Sequence, residues 1–186
     1  MIGDMPVSAA KDDAAVGLVR LGGLAAFLGG LAWTLKGLVI LMGGDQPPLL
    51  FEAAPVLFGA GLLGVGYLTM PPGRRRALVL AFAALSSVAG LVAVASELVG
   101  EVWGPALALS SLALLIGLLT LPRRGLWPAP LGWWIGLFMV PALIVGGVLS
   151  RIDERLLEIP LTCLGLAWMV VGWTTFSSRT VDSRAS

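Results

Sequence analysis

Long apolar runs alternate with short polar breaks along the whole chain. Six runs, residues 18–42, 49–70, 77–99, 103–121, 131–149 and 156–176, are each 19 to 25 residues long. At 1.5 Å of rise per residue, such lengths suit the roughly 30 Å hydrocarbon layer of a bilayer. None alternates apolar and polar positions as a half-buried strand does, and Leu, Ala and Gly dominate over β-branched residues. The pattern predicts helices. The breaks read GGDQPP, PPGRRR, VGEVW, PRRGLWP and SRIDER, all with turn chemistry. Connections this short make consecutive helices antiparallel. VGEVW is the weakest break and leaves the tip between the third and fourth helices poorly defined.

The expectation is an all-α integral membrane protein of six transmembrane helices. A polar tail (1–17) precedes a six-helix domain (18–177), and a second tail (178–186) follows it. The first segment lacks the basic stretch and short apolar core of a cleavable signal, so it reads as a cytosolic tail. Even-numbered helices end in GYLTM (66–70), GLLTL (117–121) and GWTTF (172–176), each with arginines after it. That recurrence suggests three helical hairpins in parallel quasi-repeat. Pro141 falls in mid-span and predicts a kink in the fifth helix.

Composition agrees with the pattern. Of 186 residues, 58% are hydrophobic and only 12% charged, with a mean hydropathy of +0.95. Soluble domains carry about 25% charged residues, so this chain has too few to cover a water-facing surface. Net charge is +1, which points to no nucleic-acid partner. There is no histidine, so histidine-ligated haem, zinc or copper and Ser-His catalysis are excluded. The single cysteine, Cys163, excludes an intrachain disulfide and two-thiol redox chemistry. No cofactor, metal site or enzymatic activity is expected. Ten arginines against two lysines, amid abundant Ala, Gly and Leu, is the bias of a GC-rich genome and suggests a bacterial cytoplasmic membrane.

Charge matters here by location. Lys11, Arg20, Arg74, Arg75, Arg76, Arg123, Arg124, Arg179 and Arg184 fall on one side of the six spans. Basic residues stay cytoplasmic, so both termini are expected inside. The opposite side holds Asp45, Glu52, Glu97, Glu101, Asp153, Glu154 and Glu158, with only Lys36, Arg151 and Arg155 as cations.

Glycines mark packing faces. Gly23, Gly30, Gly37 and Gly44 recur every seven residues, as do Gly59 and Gly66, and Gly165 and Gly172. Small residues at this spacing let backbones approach across a left-handed crossing, within one bundle or in a homo-oligomer seam.

Two functional readings follow. The first is a non-catalytic accessory, scaffold or sensor module that packs on itself or on a membrane-protein partner. The second is a small-solute or ion carrier with a polar site in its outer half, formed by Trp33, Lys36, Glu52, Glu97, Glu101, Arg151, Arg155 and Glu158. Buried membrane charges mark function, but these lie near enough to the interface to snorkel. Lys36 is expected to pair with Glu52 across the first hairpin, or with another outer carboxylate. Arg74, Arg75, Arg76, Arg123 and Arg124 are candidates for lipid headgroups. Two other motifs are weak. GVGYL (64–68) has the look of a potassium-filter run but continues an unbroken span. Ser86, Ser87 and Ser96 with Lys36 could make a Ser-Lys pair, although membrane serines usually bond their own backbone.

Overall fold

The computed structural model describes residues 7–47, 49–101 and 103–178, and of these the side chains of all but 7–14 and 50–52. The expectations for residues 1–6 and 179–186, including Arg179 and Arg184, and for the Lys11 and Glu52 side chains lie outside the described residues. Within them, secondary structure is entirely helical. The order is α1 (Val7–Leu41), α2 (Leu50–Thr69), α3 (Arg74–Leu98), α4 (Gly104–Thr120), α5 (Ala129–Leu149) and α6 (Glu158–Phe176), with a 3-10 turn at Glu154–Leu157 leading into α6.

The helix ends follow local chemistry. Pro71 and Pro122 force the residues before them out of helical conformation: Met70 sits at φ −116°, ψ 133° and Leu121 at φ −61°, ψ 153°. Those two prolines therefore shorten the helices before them. Four segments are long and apolar enough to cross a membrane, Ala15–Leu41, Arg74–Leu98, Ala129–Leu149 and Glu154–Phe176, while Ala53–Thr69 and Gly104–Thr120 are shorter apolar stretches. The 17 residues of α4 rise about 26 Å. α1 begins at Val7, so the polar segment ahead of the first apolar run continues the helix. α5 runs through Pro141 without interruption.

Neighbouring helices are antiparallel. Along α1, Gly23, Gly30 and Gly37 meet Phe176, Gly165 and Thr162 of α6 in falling order. Gly22 and Gly29 likewise meet Gly64 and Phe58 of α2, and Gly59 and Gly66 meet Ser87 and Val79 of α3. Chain neighbours pack in sequence order, and α6 closes the ring against α1 with the most extensive contact of all. The connections collect at two ends. One carries Glu97, Glu101, Asp153, Glu154 and Glu158 (the acidic end), and the other carries Arg74–Arg76, Arg123 and Arg124 (the arginine end).

The α1–α6 seam is the closest approach in the fold. A Cβ on Gly30 would stand 2.5 Å from the Gly165 carbonyl oxygen, and one on Gly165 would stand 2.9 Å from that of Gly30. Backbone faces backbone there, and no larger residue fits. Gly44, which extends the heptad in the sequence, lies beyond the end of α1 and takes no part in the seam. The outer surface is apolar: Val88, Leu91, Phe138, Ile144 and Val148 are all exposed. Such a continuous apolar surface suits lipid and would drive association in water.

Candidate functional site

Lys36 lies just over one turn before α1 ends, and Glu158 opens α6. Because the two helices run antiparallel with glycines at their contact, these positions face each other across the seam. Lys36 Nζ donates to Glu158 Oε1 at 2.8 Å, with the two side chains only 5% and 6% exposed. Glu158 is thus the carboxylate that the described structure places on Lys36. A buried carboxylate needs more than one partner to offset its lost hydration. Here Glu158 Oε2 and, one turn along α6, Thr162 Oγ1 are buried and have no hydrogen-bond partner among the described residues.

Below the ion pair the interior is filled by rings. Trp33, on the same face of α1, meets Phe58 of α2 edge-on with centroids 5.1 Å apart. Phe58 in turn stacks on Trp168 of α6 at 4.5 Å and 17°. The three rings interlock α1, α2 and α6 at mid-depth, and Phe58 is wholly buried. Leu62 and Leu118 continue the packing towards the arginine end.

Glu97, Glu101, Arg151 and Arg155 of the expected polar layer do not join this cluster. Glu97, at the end of α3, is half-buried and accepts the Leu49 backbone N–H at 3.2 Å, tying the α1–α2 connection to α3. Leu49 there has φ +63°, and its amide has no helical partner to satisfy. Glu101, Arg151 and Arg155 are exposed. Arg155 lies over Gly43, whose φ of +91° bends the chain back beneath it. Glu52 falls in the first turn of α2. The described part of the polar layer is therefore split into one buried pair, one half-buried capping carboxylate and a set of surface charges.

Serines serve the helix seams. Ser110 donates to the Ser86 carbonyl at 2.7 Å, and Ser86 Oγ lies 3.3 Å from Ser110 Oγ, both fully buried between α3 and α4. Ser87 donates to the Val56 carbonyl at 3.1 Å, and Ser96 to that of Ala93 at 2.7 Å. Among the described residues α1 and α3 do not touch, so Ser86 and Lys36 stand in separate seams. In the three G-x-x-T segments, Thr69, Thr120 and Thr175 each donate to the carbonyl four residues back at 2.7 Å. Threonines in membrane helices commonly do this, so the shared bond alone does not argue for duplication.

At the arginine end, a cleft of about 420 Å³ opens between the α2–α3 and α4–α5 connections. Arg75 is anchored in its wall: Nε donates to the Thr120 carbonyl at 2.8 Å and Nη2 to that of Leu121 at 3.1 Å. These are the carbonyls that α4 leaves open at its end, so Arg75 caps α4 from the start of α3. Arg76 lies over the Tyr67 ring at 3.7 Å, and Arg123 lies over Trp133 at 4.4 Å, outside the cleft. Arg74 and Arg124 also line the cleft. Both are exposed and make no hydrogen bond or ion pair among the described residues.

Of the residues in play, Thr162, Phe58, Trp168 and Ser110 are not among those singled out from the chain's pattern. Thr162 could have been found. Glu158, Thr162, Gly165, Met169 and Gly172 follow the alternating four-and-three spacing of a helix seam. Comparison with protein families, with characterised proteins and with solved structures finds no match.

Proposed function

We propose that this is a six-span integral membrane protein with both termini cytoplasmic, acting as a non-catalytic accessory, scaffold or sensor module. The observation that carries this reading is the closed interior. A carrier needs a solvent-reachable polar site near mid-depth between its helices. Here that level is occupied by the Trp33–Phe58–Trp168 stack, and above it Lys36 is held by a side chain of the protein itself. Three hairpins, α1–α2, α3–α4 and α5–α6, with their arginine-flanked G-x-x-T ends on one side, form the quasi-repeat of this reading. The orientation rests on those arginines.

One observation favours the second reading, a solute or ion carrier. Glu158 Oε2 and Thr162 Oγ1 are buried polar atoms with unused capacity, and a small cation or solute could take it up. Native mass spectrometry after purification in mild detergent separates the two. A stoichiometric protein partner or a homo-oligomer, with no small molecule retained, is the expected result. A bound solute lost on Glu158→Gln would overturn the module reading in favour of the carrier.

Orientation is tested separately, in a Cys163→Ala background. Cysteines at Gly73 and Gly125 should resist an impermeant thiol reagent in intact cells, while one at Gln46 should label. Labelling at Gly73 from outside sinks the six-span, termini-inside arrangement. Replacing Arg74, Arg75 and Arg76 together by Ala should scramble insertion.

A further inference from the structure

The arginine-lined cleft has a use that capping does not exhaust. Its wall is fixed: Arg75 is held by two carbonyls of α4 and Arg76 by the Tyr67 ring, so neither is available for much else. Prolines 71, 72 and 122 stiffen both rims. Arg74, at the start of α3, and Arg124, on the α4–α5 connection, then line the space with no donor used among the described residues, and no described carboxylate lies between them. Behind Arg74 is the start of α3, where Gly73 offers no capping side chain. The first amides of that helix have no partner within it and carry the positive end of the dipole. Planar guanidinium groups recognise phosphate oxygens in forked pairs, and two of them across a pocket match a single tetrahedral anion.

We propose that this cleft binds the phosphate of an anionic phospholipid headgroup in the leaflet at the arginine end. The source is lipid rather than a soluble phosphate because the cleft lies where the helices end. The exposed apolar Leu78 on α3 and Leu119 on α4 continue from it along the outside of the bundle, and acyl chains would run over them. The proposal rests on the membrane reading above but not on the choice between module and carrier. Loss of the membrane reading would show in the thiol-labelling experiment, independently of lipid binding.

The full chain, purified in a neutral detergent, is titrated with phosphatidylglycerol or phosphatidylcholine and examined by native mass spectrometry. Phosphatidylglycerol adducts should exceed phosphatidylcholine adducts by about tenfold at equal concentration, as expected for two arginines near an anionic headgroup. Arg74→Ala with Arg124→Ala should bring the two lipids level, whereas Arg151→Ala with Arg155→Ala should keep the preference. Thermal unfolding should be unchanged in the first double variant. If it is not, Arg74→Gln with Arg124→Gln replaces it, with the same expectation. Millimolar inorganic phosphate should leave the phosphatidylglycerol adducts in place. Equal binding of both lipids by the wild type, or a preference that survives loss of Arg74 and Arg124, overturns the proposal. Displacement by inorganic phosphate overturns the lipid source and assigns the cleft to a free anion.

Discussion

At the acidic end Lys36 is drawn between α1 and α6 and neutralised by Glu158 at 2.8 Å, with 4% of the lysine exposed. At the arginine end Arg74 and Arg124 stand in the open on either side of a cleft, paired with nothing described. Both ends carry cations within a turn or so of a helix terminus, yet the two are used in opposite ways. The difference lies in what surrounds each position. Lys36 sits beside Gly37 on the seam face of α1, where the backbone of α6 comes close enough to deliver a carboxylate. Arg74 opens α3 and Arg124 sits on the α4–α5 connection, both exposed where solvent satisfies a charge at little cost. Charge in the buried pair is expensive to disturb. Charge on the rim is open to solvent.

The largest effect should come from breaking the buried pair. Lys36→Met leaves the buried Glu158 carboxylate with its Oε2 already lacking a partner among the described residues. Stranding a buried charge costs roughly 3–5 kcal/mol. Lys36→Met with Glu158→Gln removes both charges and should recover at least half of that loss, since a neutral pair escapes desolvation. Unfolding in mild detergent, followed by helical circular dichroism, measures both. A double variant no more stable than Lys36→Met alone would show that the pair is not the reason for the loss.

Next in size is the seam that brings the pair together. On Gly30 a Cβ would press on the Gly165 carbonyl at 2.5 Å, and backbone cannot swing aside. Gly30→Ala should therefore destabilise by about 1–3 kcal/mol, as overpacking does. Gly147 in α5 is the contrasting position, with nothing within 4 Å of an added Cβ. Gly147→Ala should be neutral or slightly stabilising, because alanine restricts the unfolded chain and favours helix. Equal destabilisation by both would mean that the close approach of α1 and α6 is not what the glycines serve.

How much of this could be read from the chain differs between the two ends. Six apolar helices, their antiparallel order and the heptad glycines on α1 follow from spacing alone. So does the presence of a lysine needing a carboxylate. That Glu158 supplies one does not follow, for a specific reason. Glu52 stands seven residues before Gly59 and fourteen before Gly66, and Glu158 stands seven before Gly165 and fourteen before Gly172. The two have the same register, and only tertiary packing decides which glycine stripe meets α1. Gly165 and Gly172 do so, whereas Gly59 and Gly66 pack on α3. At the other end, the arginine runs are plain in the sequence, but the division of labour among them is not. Arg75 reaches α4 carbonyls that lie 45 and 46 residues away, a contact no local pattern announces.

That division gives the smallest and sharpest test of the contrast. Arg75 and Arg151 are both exposed arginines near helix ends. Arg75 gives two hydrogen bonds to the Thr120 and Leu121 carbonyls, while Arg151 makes no side-chain bond among the described residues. Charge-assisted bonds of this kind contribute more than neutral ones when shielded, but these lie at the rim, where water competes. Arg75→Ala should cost about 1 kcal/mol, the usual worth of a helix-end cap. Arg151→Ala should lie within about 0.5 kcal/mol of wild type, as surface substitutions without partners do. Arg75→Lys sharpens the comparison. One ammonium on a flexible stem cannot hold two carbonyls as a fork does, so it should keep the charge and yet lose most of the stability. If Arg75→Lys behaves as wild type while Arg75→Ala does not, charge alone and not the cap holds α3 to α4. Arg75 would then belong with Arg74 and Arg124 as an open cation of the cleft.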